Sequence, residues 1–446
     1  MMLHAWNNYK LFAWGKNELS PISKKPYDDG VFGHFNIGAT IIDALDTLYL
    51  MNLTREYEEG RNWIATEFSL DDVDAFISVF ETNIRFLGGL LSLYALTGDG
   101  LFKEKAKYVA DKLLPAFKSP TGIPFTRVNF KTGKIEGGSS ILSDFGTISL
   151  EFIYLSSITG DSTYKNIVDR IKIFLNTIEK PYSLYPTWLD PINGTWDSTI
   201  STMGGLGDSF YEYLLKTWIQ SNKTDKMSQQ MFNEAMKGVK NFMVKANPDN
   251  FTYLSGVVSI FPDFRMEHLA CFAGGMFALA SNTTIDSSSS SQFLKLAEEL
   301  TNTCHALYQM TNTGLGPEAS YLKESIKRDP AKKLQILFDS KYILRPETIE
   351  SYFYLWRITN NPMYRDWGWE VVNSIEKYCR TPNGYSGVQN VFNDDPVYDD
   401  IQQSFFLAET LKYLYLLFSE DHILSLNEWV FNTEAHPLPI LENLLL

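Results

Sequence analysis

The chain has 446 residues, 44% hydrophobic and 21% charged, a balance that supports a packed core and excludes an intrinsically disordered chain. Its 53 acidic against 39 basic residues leave a formal net charge of −14, which repels nucleic-acid phosphates and anionic membrane surfaces and favours neutral or cationic ligands. No stretch reaches the roughly 20 uninterrupted apolar residues that span a bilayer, and MMLHAWNNYKLFAWGK lacks the pattern of a signal peptide.

Apolar residues at a period of 3.6 predict amphipathic helices along nearly the whole chain, with few strand-like runs such as TYLSGVVSIF. The helices come in pairs: an apolar helix, a turn, then a more charged helix. The first pair begins near Ala39 with TIIDALDTLYLM. A second runs from ETNIRFLGGLLSLYALTGD into FKEKAKYVADKLLPAF, and a third from GTISLEFIYLSSITGD into YKNIVDRIKIFLNTI. Further pairs begin near Asp208, His268, Glu347 and Ser404, which makes seven units at a spacing of roughly 60 residues. GIPFTRVNFKTGKIEGGSS and NTTIDSSSSSQ read as surface connections, so residues 1–446 form one expected domain.

A helical hairpin cannot bury its apolar face alone, and repeated hairpins either stack as a solenoid or close into a ring. First helices that are apolar nearly all round suit the inner layer of a ring. An all-α barrel of seven hairpins is therefore expected. Carboxylates fall near the starts of those helices, at Asp43, Glu81, Glu151, Asp208, Glu347 and Glu409. Each alone reads as an N-terminal cap worth about 0.3 to 1 kcal/mol; six at one place in the repeat point to a shared acidic pocket.

Such a pocket suits glycoside hydrolysis, where one carboxylic acid protonates the leaving oxygen and a second carboxylate activates water or attacks carbon. The 14% aromatic content supplies faces for sugar rings as well as core. There is no P-loop, GxSxG, HExxH or dinucleotide motif, and six scattered histidines argue against a transition-metal site. A hard cation such as Ca²⁺ needs only oxygen ligands. Cys271, Cys304 and Cys379 allow one bridge and one free thiol. Five sequons, at Asn52, Asn193, Asn222, Asn250 and Asn282, fit a luminal glycoprotein. In that compartment a targeting or anchor segment would lie upstream of these residues.

From AWNNYKLFAWGKNEL to FNTEAHPLPI, through SVFETNIRFLGGLL, GGLGDSFYEYLLK, EHLACFAGGMFAL, YILRPETIESYFYLWR and DDIQQSFFLAETLKYLYLLFS, the chain resembles glycoside hydrolase family 47, the class I α-mannosidases. The resemblance implies an (α/α)7 barrel and a calcium-dependent, inverting α-1,2-mannosidase of the Golgi lumen that trims high-mannose N-glycans. It implies Glu81 as general acid, with Asp208 and Glu347 positioning or deprotonating the attacking water. Glu318 matches a further acid that is also a candidate proton donor.

The resemblance makes Thr433 the residue that binds calcium. Glu151, Glu350, Glu409 and Glu434 would surround the ion's waters and the sugar, Arg85, Arg345 and His268 would contact sugar or acids, and Phe405 would stack beneath the ring. Cys271 and Cys304 match the family's disulfide. Leu206, where single-mannose-trimming relatives carry Arg, implies broad trimming toward the five-mannose core. A glycan-binding quality-control protein of the same fold, with weak or no hydrolysis, is the rival reading.

Overall fold

The turns explain how each pair folds back. After the second and third apolar helices the chain passes through Gly98 and Gly160, both at φ +71°, and after the sixth through Asn360 at φ +53°. This left-handed conformation ends a helix and is open mainly to Gly and Asn. Asp99 then caps the next helix, its carboxylate accepting from Leu101 N–H at 3.0 Å.

In a computed structural model of the protein, residues 1–284, 287–323 and 337–441 are described. The inner wall is made by helices Ala39–Leu50, 79–97, Ser149–Thr159, Asp208–Gln220, Phe272–Thr283 and Glu347–Thr359, and by Leu411–Leu417 with the π-turn Phe406–Thr410 before it. Each packs on the next, and the last packs back on the first, closing the ring of an (α/α)7 barrel. Residues Ser209 to Gln220 of the fourth inner helix are all buried, as expected of a helix covered on every side.

Thr54–Thr66, Gly100–Leu113, Thr163–Thr177, Lys226–Gly238, Ser287–Gln309 and Met363–Tyr378 form the outer layer. Two expectations shift. NTTIDSSSSSQ is not wholly a connection: a helix begins at Ser287, carried by the buried stripe Phe293, Leu296, Ala297, Leu300 and Cys304, while Ile285 and Asp286 lie outside the described residues. The last inner helix also has no following outer helix among the described residues. Instead Met2–Ala13, burying Met2, Ala5, Trp6, Tyr9 and Ala13, packs on the π-turn Phe406–Thr410 and on strand Gly384–Tyr385. The seventh unit is thus completed by the two ends of the chain.

The C-terminal strands Trp429–Phe431 and Pro437–Pro439 pair antiparallel, and this hairpin packs against the second, third and fourth inner helices. Its tip, residues 432–436, is inside the ring, with Asn432, Ala435 and His436 fully buried. Short antiparallel sheets of two or three strands fill the connections between units. Cys271 and Cys304 form a disulfide joining the segment just before the fifth inner helix to the outer helix Ser287–Gln309, and Cys379 is a buried free thiol. Among the described residues no helix is long and apolar enough to cross a membrane.

Candidate active site

A cavity of about 640 Å³ lies where the inner helices 79–97, 208–220, 272–283 and 347–359 begin. Glu81, Arg85, Leu206, Asp208, Arg345, Glu347, Glu350, Phe405, Glu409, Thr433 and Glu434 line it. Of the six acids expected to meet, four therefore do. Glu151 and Asp43 stand in the wall behind.

The second inner helix opens with Ser78 accepting from Glu81 N–H at 3.2 Å, then widens into a π-segment over Thr82–Leu87. Such widenings recur at functional sites because they re-aim side chains. Here Arg85 Nε donates to Glu81 Oε2 at 2.8 Å and Nη1 to Glu434 Oε1 at 2.6 Å. Burial opposes its charge, but Glu434, Glu81 and Asp43 together hold the guanidinium well above its ordinary pKa.

Glu347 is the first residue of its helix, where the backbone dipole favours an anion. Its Oε2 lies 2.6 Å from His268 Nδ1, and its Oε1 3.5 Å from Arg345 Nη1. Burial pushes this carboxyl up, yet Arg345 and His268 outweigh it and leave Glu347 below its usual range. His268 Nε2 is fixed in turn by the Tyr308 hydroxyl at 2.7 Å.

Asp208 behaves oppositely. It too opens a helix and accepts from Ser209 N–H at 2.8 Å, but burial, with Glu212, Glu267 and Glu347 nearby, pushes its pKa up to about 7. Burial and neighbouring carboxylates likewise lift Glu350 to about 8 and raise Glu409 and Glu434 well above ordinary values. The pocket is a crowd of carboxyls short of positive charge.

Phe405 lines the cavity, with the guanidinium carbons of Arg85 and Arg345 at 5.8 and 5.9 Å from its ring centroid. Leu206, at φ +78° between Gly205 and Gly207, is 42% exposed at the rim. That left-handed backbone costs a non-glycine residue roughly 1 to 2 kcal/mol.

Besides Asp43, three expected residues stand behind the lining. Both oxygens of Glu318 accept from Arg345 Nε at 3.0 Å, so Glu318 orients that arginine. His268 holds Glu347, as above. Glu151 Oε1 accepts from Tyr213 at 2.7 Å and Asn432 at 2.8 Å, while its buried Oε2 has no hydrogen-bond partner among the described residues.

Two acids of the lining escaped the sequence reading. Glu212 sits four residues after Asp208, so helical spacing alone places both on one face; it pairs with buried Lys216. Asp144, on the short helix Leu142–Gly146, is lifted to about 8 by burial and by Glu81 and Asp208, and its sequence setting carries no comparable signal.

No group of three or more His, Cys, Asp or Glu side chains among the described residues is arranged to hold a metal ion. A hard cation nevertheless fits at the hairpin tip. Thr433 lines the cavity together with Glu350, Glu409 and Glu434, and neither its hydroxyl nor its carbonyl is hydrogen-bonded among the described residues. Its N–H is spent on the Tyr213 hydroxyl at 3.3 Å. Two free oxygens in a cavity lined by carboxyls suit a water-rich oxygen site.

A sequence profile described as glycosyl hydrolase family 47 matches residues 1–440. Mannosyl-oligosaccharide alpha-1,2-mannosidase IA of Drosophila melanogaster is 54% identical over 446 residues, covering 99% of this chain and 66% of its own. The human mannosyl-oligosaccharide 1,2-alpha-mannosidase IB is 48% identical, covering 99% and 69%. The chain thus spans about two thirds of the length of the curated relatives it matches. Among solved structures, alpha-1,2-mannosidase from Trichoderma reesei superposes with a TM-score of 0.91 at 28% identity, covering 99% of this chain and 97% of that one. Cellobiose 2-epimerase from Spirochaeta thermophila, with a TM-score of 0.59 at 11% identity over 85% and 98% of the two chains, shares the fold alone. With the whole ring matched in sequence and in shape, the chain belongs to glycosyl hydrolase family 47.

Proposed function

We propose that this chain is one catalytic domain, a calcium-dependent, inverting exo-α-1,2-mannosidase that trims terminal mannose from high-mannose N-glycans toward the five-mannose core. The observation that carries the reading is that two separately held carboxyl groups line one cavity: Glu347, joined to His268 at 2.6 Å and held below its usual range, and Glu81, gripped by Arg85 at 2.8 Å. Inverting hydrolysis needs such a pair, one group to protonate the leaving oxygen and one to activate water. The names of the similar mannosidases supply the substrate class.

The terminal mannose enters the cavity against the Phe405 ring. Glu347 takes a proton from a water that attacks the anomeric carbon, the glycosidic bond breaks, and Glu81, oriented by Arg85, delivers a proton to the departing oxygen. Asp208, protonated below about pH 7, donates a hydrogen bond that holds the water or the sugar. Thr433 would hold the calcium ion, with Glu350, Glu409, Glu434 and Glu151 around it; a cation bound there would favour the ionised form of these carboxyls and would supply a Lewis acid for adjacent sugar hydroxyls. Leu206, in place of a long polar side chain, leaves room for more than one glycan branch. A Golgi-lumen location is supported by the disulfide and by all five sequon asparagines being exposed.

Proton NMR of a reaction sampled within its first minutes tests the mechanism. Initial release of β-mannose is the expected result; initial α-mannose would contradict inversion. Binding of the glycan without any release would favour the glycan-binding reading.

A further inference from the structure

A chain of buried charges behind the cavity wall takes no part in the steps above. Asp43 and Asp46, three residues apart on the first inner helix, face His436 at the hairpin tip, and all three are fully buried. His436 Nδ1 lies 2.8 Å from Asp46 and Nε2 3.3 Å from Asp43. A ring flanked by carboxylate acceptors on both nitrogens donates on both sides. Lys412, equally buried, pairs with Asp46 at 2.9 Å and donates to the Ala435 carbonyl at 2.7 Å.

The chain continues toward the cavity. Asp43 accepts from the Ser404 hydroxyl and lies 3.4 Å from Arg85 Nη1, which also donates to Ser404 at 3.0 Å. Arg85 then reaches Glu81 at 2.8 Å and Glu434 at 2.6 Å. Lys412, Asp46, His436, Asp43, Arg85 and Glu81 thus form one uninterrupted series. The tip is also pressed flat on the second inner helix: a Cβ at Gly88 would stand 3.3 Å from the His436 ring.

Buried ion pairs seldom stabilise more than well-packed apolar side chains of the same volume, and their best-attested use is to fix one arrangement. Here the arrangement they fix ends on the proton donor. We propose that His436 is a positioning residue for the reaction: by pinning Asp43 it sets the Arg85 guanidinium, and through it the places of Glu81 and Glu434. The inference rests on the assignment of Glu81 as donor.

The test is steady-state kinetics of His436→Gln on a nine-mannose N-glycan with calcium present, alongside circular dichroism and a thermal melt. The expected result in folded protein is a fall in kcat of roughly tenfold to a hundredfold, as for a misplaced catalytic group. KM should change less than about threefold. A lower Tm with kcat unchanged would make His436 structural only and overturn the proposal.

Should His436→Gln not fold, Ser404→Ala decides, since that hydroxyl touches Asp43 and Arg85 but not the hairpin. The same fall in kcat with KM little changed supports the proposal; wild-type kcat overturns it. Glu81→Gln is assayed in parallel: full activity there would show that the donor assignment, rather than the positioning chain, is at fault.

Discussion

Glu347 and His268 are joined at 2.6 Å between Oε2 and Nδ1, and that contact gives one carboxyl in an acidic pocket a different character from its neighbours. His268 comes from the segment His268–Cys271 that precedes the fifth inner helix, and Glu347 opens the sixth. Adjacent staves of the barrel therefore build the ionised group together. Around it, the other carboxyls lack a cation of their own or share one.

Glu347→Gln should lower kcat by roughly 10² to 10⁴, the usual contribution of a general base, with little change in KM. Steady-state kinetics on the nine-mannose glycan checks this. A variant that keeps more than about half of wild-type kcat would remove Glu347 from the base role.

The Asp208 carboxyl titrates at about 7 in the folded chain, against an ordinary 3.8, with burial the main cause. Between those values the folded state holds a proton that the unfolded chain has lost, so this residue makes stability fall as pH rises from about 4 to about 7. Asp208→Asn abolishes that dependence. In thermal melts of metal-free protein, the Tm of the variant relative to wild type should be more favourable at about pH 8 than at about pH 5. Parallel curves would contradict the shift.

If calcium sits at the hairpin tip, it stabilises the folded chain by mass action. Adding calcium to chelated protein should raise Tm in proportion to the logarithm of its concentration. Thr433→Ala should weaken that response by about tenfold or more in apparent affinity. An unchanged response would place the ion elsewhere.

Cys271 and Cys304 are 33 residues apart in sequence and neither lines the cavity. Replacing both with Ser should cost about 2 to 4 kcal/mol of stability while kcat of the folded protein stays near wild type. Denaturant unfolding and kinetics read the two effects separately. Loss of kcat in folded protein would mean that the bridge shapes the site.

The barrel was legible because its period is simple: apolar helix, Gly or Asn turn, charged helix, repeated. The acids at the helix starts were legible for the same reason, since position in the repeat becomes position in the ring. What escaped depends on contacts distant in sequence. The hairpin that fills the ring is only Trp429–Phe431 and Pro437–Pro439, too short to show a pattern, and its role arises from the space seven inner helices leave. Met2–Ala13 reads as an isolated helix until ring closure brings it to the last unit. Glu318 reads as a free acid until Arg345, 27 residues away, is seen to grip both of its oxygens. Glu212 was within reach, four residues after Asp208.

The most direct test is to incubate the protein with a nine-mannose N-glycan, first with calcium and then with a chelator, and to read the products by mass. The account predicts stepwise loss of mannose down to five residues with calcium and none after chelation. Glycan left intact under both conditions, or trimming indifferent to the chelator, would contradict it.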